Sequence, residues 1–355
     1  LVGMTLRNTD DCAFGSRYSF LGQFSDMVEL ARRGTDAPIV LGGIGFSTMP
    51  EQVLELCPAD AGVWGEGEFS FAQVADKLAK GESWLDVPGL VRQHGGSCTR
   101  NRPHSTDLAE LPPMGRTWLD NRRYFREGGQ AGIETKRGCP GLCTYCADPV
   151  AKGRHTRTRP AEAVADELEN LLAQGITHIH TCDSEFNLPQ WHALEVCREI
   201  VARGLGQRLR WYAYCSPAPF NRQLARLMRD AGCAGINFGV DSGDPGMLRR
   251  LGRSFTTSEI LEAASLCREY ALPVMFDLLI GSPGESPQSI ARTIELVKQA
   301  DADLAGVSLG VRVYPGTRLS SKVQQPSLEP GLSGGDGPGD PLFFLEPSIA
   351  EVASE

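Results

Sequence analysis

Three cysteines within nine residues, in Gly138-Cys139-Pro140-Gly141-Leu142-Cys143-Thr144-Tyr145-Cys146, follow the spacing C-x3-C-x2-C. Thiols on one short loop can converge on one inorganic centre, and soft sulfur donors select zinc, copper(I) or an iron–sulfur cluster. A structural zinc site wants a fourth protein ligand nearby; the nearest candidate is His155, nine residues on among arginines. Three ligands without a fourth leave one coordination position open, the arrangement a catalytic centre uses to bind substrate. Other polar groups follow apolar runs, in Cys182-Asp183-Ser184-Glu185-Phe186-Asn187, Tyr214-Cys215-Ser216-Pro217 and Gly239-Val240-Asp241-Ser242-Gly243. Each has a plainer alternative, a turn whose side chains bond local backbone.

The elements that must position these residues alternate regularly from Ala131 onward. Six strands are expected, over Ala131 to Lys136, Ile176 to Thr181, Leu209 to Tyr214, Ala234 to Val240, Pro273 to Ile280 and Ala305 to Val313, with helices between them. Pro160 suits a first helical turn, Val164, Leu168, Leu171 and Leu172 make one face, and Gly175 can end that helix in the left-handed conformation. Thr256-Thr257-Ser258-Glu259 fits a capping box ahead of Ile260, Ala263, Ala264 and Cys267. Six βα units with right-handed crossovers curl into a partial or complete barrel whose chemistry sits at the carboxyl ends of the strands. Every polar group named above falls at such an end.

Residues 1–95 show a second, shorter alternation. Strands at Leu1 to Thr5, Pro38 to Leu41 and Ala61 to Trp64 lead into glycine-rich turns, Gly42-Gly43-Ile44-Gly45-Phe46-Ser47 and Gly65-Glu66-Gly67-Glu68. This argues for a parallel sheet covered by helices, with few strands for a complete open α/β domain. A dinucleotide site does not fit, since Thr48 stands where a third glycine is expected, and no phosphate loop occurs. Residues 96–130 lose the periodicity and read as a linker, 131–320 as the barrel, and 321–355 as a flexible loop over Pro326 to Pro341 followed by the start of another element. Both ends read as cut from a longer chain.

Composition narrows the function. The chain has 355 residues, a formal charge of −9, 40 glycines and 23 prolines, which call for many tight turns. An acidic chain offers no global footprint for nucleic acid, so no such partner is expected. Apolar runs are strand-sized, so no membrane partner is expected either. Eleven cysteines is an odd number in a chain too long to need disulfide staples, which points to a reducing compartment and a cytoplasmic protein. Cys57, Cys197, Cys233 and Cys267 lie in apolar periodic stretches and read as small buried hydrophobes.

The cysteine motif, with Tyr145 before its last member and at the end of the first barrel strand, resembles the radical S-adenosylmethionine (radical SAM) superfamily. The resemblance implies a 4Fe-4S cluster held by Cys139, Cys143 and Cys146, with S-adenosylmethionine chelated by the unique iron. It also implies SAM contacts from Tyr145, Asp183, Glu185, Ser216, Asp241, Ser242, Gly281 and Tyr314. The motif at Asp183 departs from the family's common Gly-Gly-Glu turn and resembles the acidic variant of the cobalamin-linked branch. Leu279-Ile280-Gly281-Ser282-Pro283-Gly284-Glu285 matches the turn after strand five, and Val313-Tyr314-Pro315-Gly316-Thr317 the one after strand six. The N-terminal region resembles the second half of the cobalamin-binding domain of class B members, implying cobalamin contacts from Gly42, Gly43, Gly45, Gly65 and Glu66. The family's Asp-x-His-x-x-Gly string, whose His ligates cobalt, does not occur.

By resemblance, SAM is cleaved to a 5′-deoxyadenosyl radical, a small-molecule substrate is methylated at an unactivated carbon, and an electron donor such as flavodoxin or ferredoxin supplies the reductant. Three readings stay open beside it: a radical SAM cyclase or rearrangement enzyme, a cobalamin-independent radical SAM enzyme, and a non-catalytic metal-binding protein. Lys152, Arg154, Arg157 and Arg159 read as a solvated basic loop or as a contact for an anionic substrate or reductant. His178 and His180 alternate on strand two toward the barrel interior.

Overall fold

The computed structural model describes residues 1–116 and 118–353. Its strands, in chain order, begin with β1 (Val2–Thr5), β2 (Ile39–Gly42), β3 (Ala61–Val63), β4 (Leu90–His94) and β5 (Ser97–Arg100) in one sheet. The barrel region contributes β6 (Ala131–Ile133), β7 (Lys136–Arg137), β8 (Arg157–Thr158), β9 (His178–Thr181), β10 (Arg210–Cys215), β11 (Cys233–Asp241), β12 (Val274–Ile280) and β13 (Leu304–Leu309). Three short strands follow, β14 (Val311–Arg312), β15 (Leu332–Ser333) and β16 (Phe343–Phe344).

The six expected barrel strands are β6, β9, β10, β11, β12 and β13, and they form one all-parallel sheet in that spatial order. Alternation makes it so. In β12 the buried Val274, Phe276, Leu278 and Ile280 pack toward the helices, while the partly exposed Met275, Asp277 and Leu279 face the other way, into the barrel. The helices enter as their sequences dictate: Thr256 and Glu259 close a capping box, and Ser286 and Ser289 another ahead of Pro287. Pro160 stands at the N-cap rather than in the first turn, because its ψ of 135° is extended. Gly175 takes the expected left-handed conformation just after that helix.

The N-terminal sheet differs from expectation in extent. β1, β2 and β3 are parallel as read, but β4 and β5 add an antiparallel hairpin around Gly95-Gly96, both with positive φ. Strand β5 therefore occupies residues read as linker. The Gly42 to Ser47 turn is tighter than expected, a helix Ile44–Thr48 starting at once. At the other end, the stretch from Pro326 to Pro341 is not simply a flexible loop. A 3-10 helix Pro326–Gly331 leads into β15, which pairs with β16, and β16 pairs in turn with β14 beyond the sixth barrel strand. Phe343 and Phe344 are fully buried, and their burial holds this segment against the barrel.

Charged contacts join the two sheets. Glu66, in the turn after β3, accepts from Arg157 Nη1 at 2.7 Å and from the Thr106 backbone N–H at 2.8 Å, and Arg137 lies 3.6 Å away. Burial works against the Glu66 charge, yet the Arg157 and Thr106 donors hold its carboxyl below the ordinary range. Glu66, read above as a cobalamin contact, also clasps the two sheets together. Glu66→Ala, which strands Arg157, is expected to lower stability by about 2–3 kcal/mol, read as a shift in urea midpoint. An unchanged midpoint would show that the clasp contributes nothing.

Candidate active site

The cysteine loop runs from β7 to the helix Asp148–Lys152, and neighbouring backbone pins it at three points. Cys139 N–H donates to Gly153 O at 3.1 Å, Thr144 N–H to Leu251 O at 2.9 Å, and Leu319 N–H to Thr144 O at 2.8 Å. Gly252, at φ +77°, is required there, because a Cβ would collide with the Leu142 carbonyl. A Cβ on Gly141 would lie 3.1 Å from Cys139 Sγ and 3.8 Å from Cys143 Sγ, so these two sulfurs flank the same point of the loop.

Burial pushes all three thiols up, Cys146 to about 12, so a strongly cationic centre is needed to hold them as thiolates. Among the described residues no three His, Cys, Asp or Glu side chains are grouped to hold a single metal ion, and His155 is exposed. A polynuclear iron–sulfur cluster suits three spaced thiols better, because each then binds a different iron.

Arg253 organises the next layer. Its side chain is 6 % exposed, and Nη1 donates to Cys143 Sγ at 2.9 Å. Nη2 donates to Gly239 O and lies 3.6 Å from Glu185 Oε1, Nε lies 3.4 Å from Asp241 Oδ2, and the guanidinium sits over the Phe255 ring. Asp241, at φ +60°, also accepts from Tyr145 Oη at 2.7 Å, so the tyrosine holds Asp241 in place. Burial pushes Glu185 up to about 7, with Arg253 opposing the shift. Glu185 Oε2 and Arg253 Nε are buried without a hydrogen-bond partner among the described residues. An unpartnered acceptor and donor beside the cysteine loop fit the ammonium and carboxylate of an amino-acid ligand.

Several expected contacts also bond within the protein. Asp183 is enclosed and accepts from Thr135 N–H at 2.9 Å, Thr135 Oγ1 at 2.6 Å and Lys136, so it locks the end of β6. Ser242 is fully buried against Thr293 Oγ1 and the Asp244 N–H. Gly281 is covered by Leu345, and its carbonyl accepts the Glu346 N–H. Tyr314 Oη meets Cys12 Sγ at 3.2 Å, under Arg312. Ser216 is buried, with both backbone groups tied to Asn187. Gly43 and Gly45 lack side chains because the Leu6 and Arg7 backbone passes over them. Gly42, Gly43 and Gly65 line a groove of about 330 Å³ on the first sheet, with Gly3, Gly67 and Phe71.

A larger cavity, about 950 Å³, opens between the two sheets and is lined by Arg7 and Ile44 from one and by Glu134, His180, Cys182 and Tyr214 from the other. His180 stacks on Tyr212 at 4.3 Å between centroids and meets Tyr214 edge-on, forming an aromatic wall inside the barrel. Burial and the nearby Arg7 charge hold its imidazole toward the neutral form. His178 is instead exposed, stacked on Phe125. Sequence reasoning missed Arg253, Arg7 and Glu134. No spacing rule marks Arg253, since its partner Cys143 is 110 residues away.

Residues 133–297 match the radical SAM superfamily. The chain is 33 % identical to the tryptophan 2-C-methyltransferase of Streptomyces laurentii over 92 % of its own length and 65 % of that relative's. It superposes on the radical SAM methyltransferase TsrM of Kitasatospora setae, solved with cobalamin and a 4Fe-4S cluster, with a TM-score of 0.89 and 32 % identity, covering 98 % of this chain and 74 % of the other. A second TsrM structure, holding tryptophan and the SAM analogue aza-SAM, gives 0.90 at 31 % identity, covering 99 % and 76 %. The cobalamin-dependent enzyme OxsB shares the fold, at a TM-score of 0.78 and 17 % identity over 98 % of this chain and 56 % of that one. The chain belongs to the radical SAM superfamily, in its cobalamin-dependent class B branch.

The raised Glu185 carboxyl carries a pH signature. Between about pH 4.5 and 7 the folded cofactor-free chain keeps a proton that the unfolded chain releases, so stability falls as pH rises through that window. Glu185→Gln is expected to be about 3 kcal/mol more stable than wild type at pH 8 and equal to it below pH 4.5. Parallel urea-denaturation profiles across this range would contradict the assignment.

Proposed function

We propose that this chain is a cobalamin-dependent radical SAM methyltransferase that places a methyl group on a carbon of a small aromatic substrate. The carrying observation is that the carboxyl ends of the parallel strands β1 and β2 and of the barrel strands β6, β9 and β10 open onto the same cavity of about 950 Å³. When bound, the 4Fe-4S cluster and SAM supply redox and alkylating chemistry, and cobalamin carries the methyl group. Cys139, Cys143 and Cys146 would hold the cluster. Arg253 would take the SAM carboxylate and Glu185 its ammonium, while Asp241, braced by Tyr145, keeps Arg253 in place.

Residues 1–95 are read as the cobalamin unit, with the groove at Gly42 and Gly65 receiving the corrin, and 131–320 as the catalytic barrel. The aromatic wall of His180, Tyr212 and Tyr214 suits a planar ring, in keeping with the tryptophan bound by the solved relative. A flavodoxin or ferredoxin supplies electrons. Eleven free cysteines fit a cytoplasmic location, and no described helix is long and apolar enough to cross a membrane.

Anaerobic reconstitution with iron and sulfide should give about four iron and four sulfide per chain. Cys143→Ala should abolish this, and Gly252→Ala, which displaces Leu142, should reduce it by half or more, both with unchanged far-ultraviolet circular dichroism. One zinc and no iron in the wild type would overturn the reading. With cobalamin, SAM and tryptophan added, methylated product and S-adenosylhomocysteine are expected together.

A further inference from the structure

The surface around the cysteine loop differs in charge from the rest of the molecule. The chain carries 44 acidic against 35 basic residues, yet residues 135–147, 149–160, 245–258 and 304–328 contain no Asp or Glu. The backbone contacts described above bring these stretches together: Gly153, Leu251 and Leu319 each bond the cysteine loop directly. Arg154 flanks the first of these anchors, Arg249 the second, and Arg318 and Lys322 the third.

All four side chains are exposed, and none forms an ion pair among the described residues. Neighbouring cations that face inward are paired, Arg157 with Glu66 and Arg159 with Glu167. Among these anchors Leu142 is 52 % exposed, on the loop between Cys139 and Cys143 and with its backbone against Gly252. An apolar centre ringed by unpaired cations is the complement of an acidic protein surface with an apolar tip.

We propose that this collar, Arg154, Arg249, Arg318 and Lys322 around Leu142, is the docking face for a small acidic one-electron carrier. The inference rests on the cluster assignment above. Docked there, the carrier gives up one electron and is oxidised by one equivalent, and the centre held by the three thiols is reduced by one. Leu142 is next to Cys143 in the chain, so a carrier seated on it stands beside the thiols that hold that centre. Charge complementarity steers encounter, and its effect is strongest at low salt.

The test uses the full reconstituted chain and oxidised flavodoxin as probe. Calorimetric affinity should fall about tenfold on raising ionic strength from about 0.05 to 0.3 M, and about tenfold or more in Arg249→Glu/Lys322→Glu at low salt. Arg249→Gln/Lys322→Gln should lie between wild type and the reversal, and Leu142→Glu should weaken binding as well. Dithionite, a small reductant that needs no docking face, should reduce the cluster equally in all variants. Flavodoxin affinity unchanged by either double substitution, with iron content intact, would overturn the docking face. Preferential loss of binding to a polyanion such as heparin, with flavodoxin unaffected, would also overturn it and assign the collar to nucleic acid. A wild-type chain without iron would overturn the cluster assignment instead, and is read separately.

Discussion

One buried cation holds the site together. The guanidinium of Arg253 touches the Cys143 thiol, the Gly239 carbonyl, Asp241, Glu185 and the face of Phe255, almost entirely out of water. A charge so placed is tolerable only if its partners surround it, and those partners come from the turn after β9, from β11 and from the cysteine loop. The geometry of three separate chain segments is therefore referred to a single group. The left-handed backbone of Asp241 belongs to the same arrangement, since it turns that carboxylate back toward Arg253 and Tyr145. Glu185 remains partly uncompensated, and its free oxygen is where the protein's own interactions stop short.

The second organising element is the junction of the two sheets. Leu6 and Arg7 lie across Gly43 and Gly45, which fixes how the first sheet presents its carboxyl edge. Glu66 then ties that edge to Arg157 and Arg137, on the two short strands that bracket the cysteine loop. Arg312, in β14, meets Asp10 at 2.9 Å, a second charged contact between the N-terminal region and the rest of the chain. A site built this way needs both sheets to be complete.

Much of the barrel was legible because each strand has one buried and one inward face, and the alternation survives in residues such as those of β12. The cysteine spacing, the capping boxes and the acidic residues after β9 and β11 are local patterns and were read directly. Arg253 was not, because its partners are distant in sequence and its own neighbourhood resembles any loop after a helix. Asp183 and Ser242 are harder to read for the converse reason: a polar residue at a strand end serves a neighbour's backbone as readily as a ligand, and both bond within the protein. The Gly95-Gly96 pair is itself a hairpin signal, masked by the loss of periodicity in the residues that follow it. The Pro326 to Pro341 stretch was read by composition alone, which says nothing of the paired phenylalanines that retain it.

The Glu66 clasp has a meaning for how such proteins diversify. A shuffled gene that joined this first sheet to a barrel lacking Arg137 and Arg157 would bury an uncompensated carboxylate at the seam. The two units thus fit only as a matched pair: any barrel joined to this first sheet must offer cations where Arg137 and Arg157 stand.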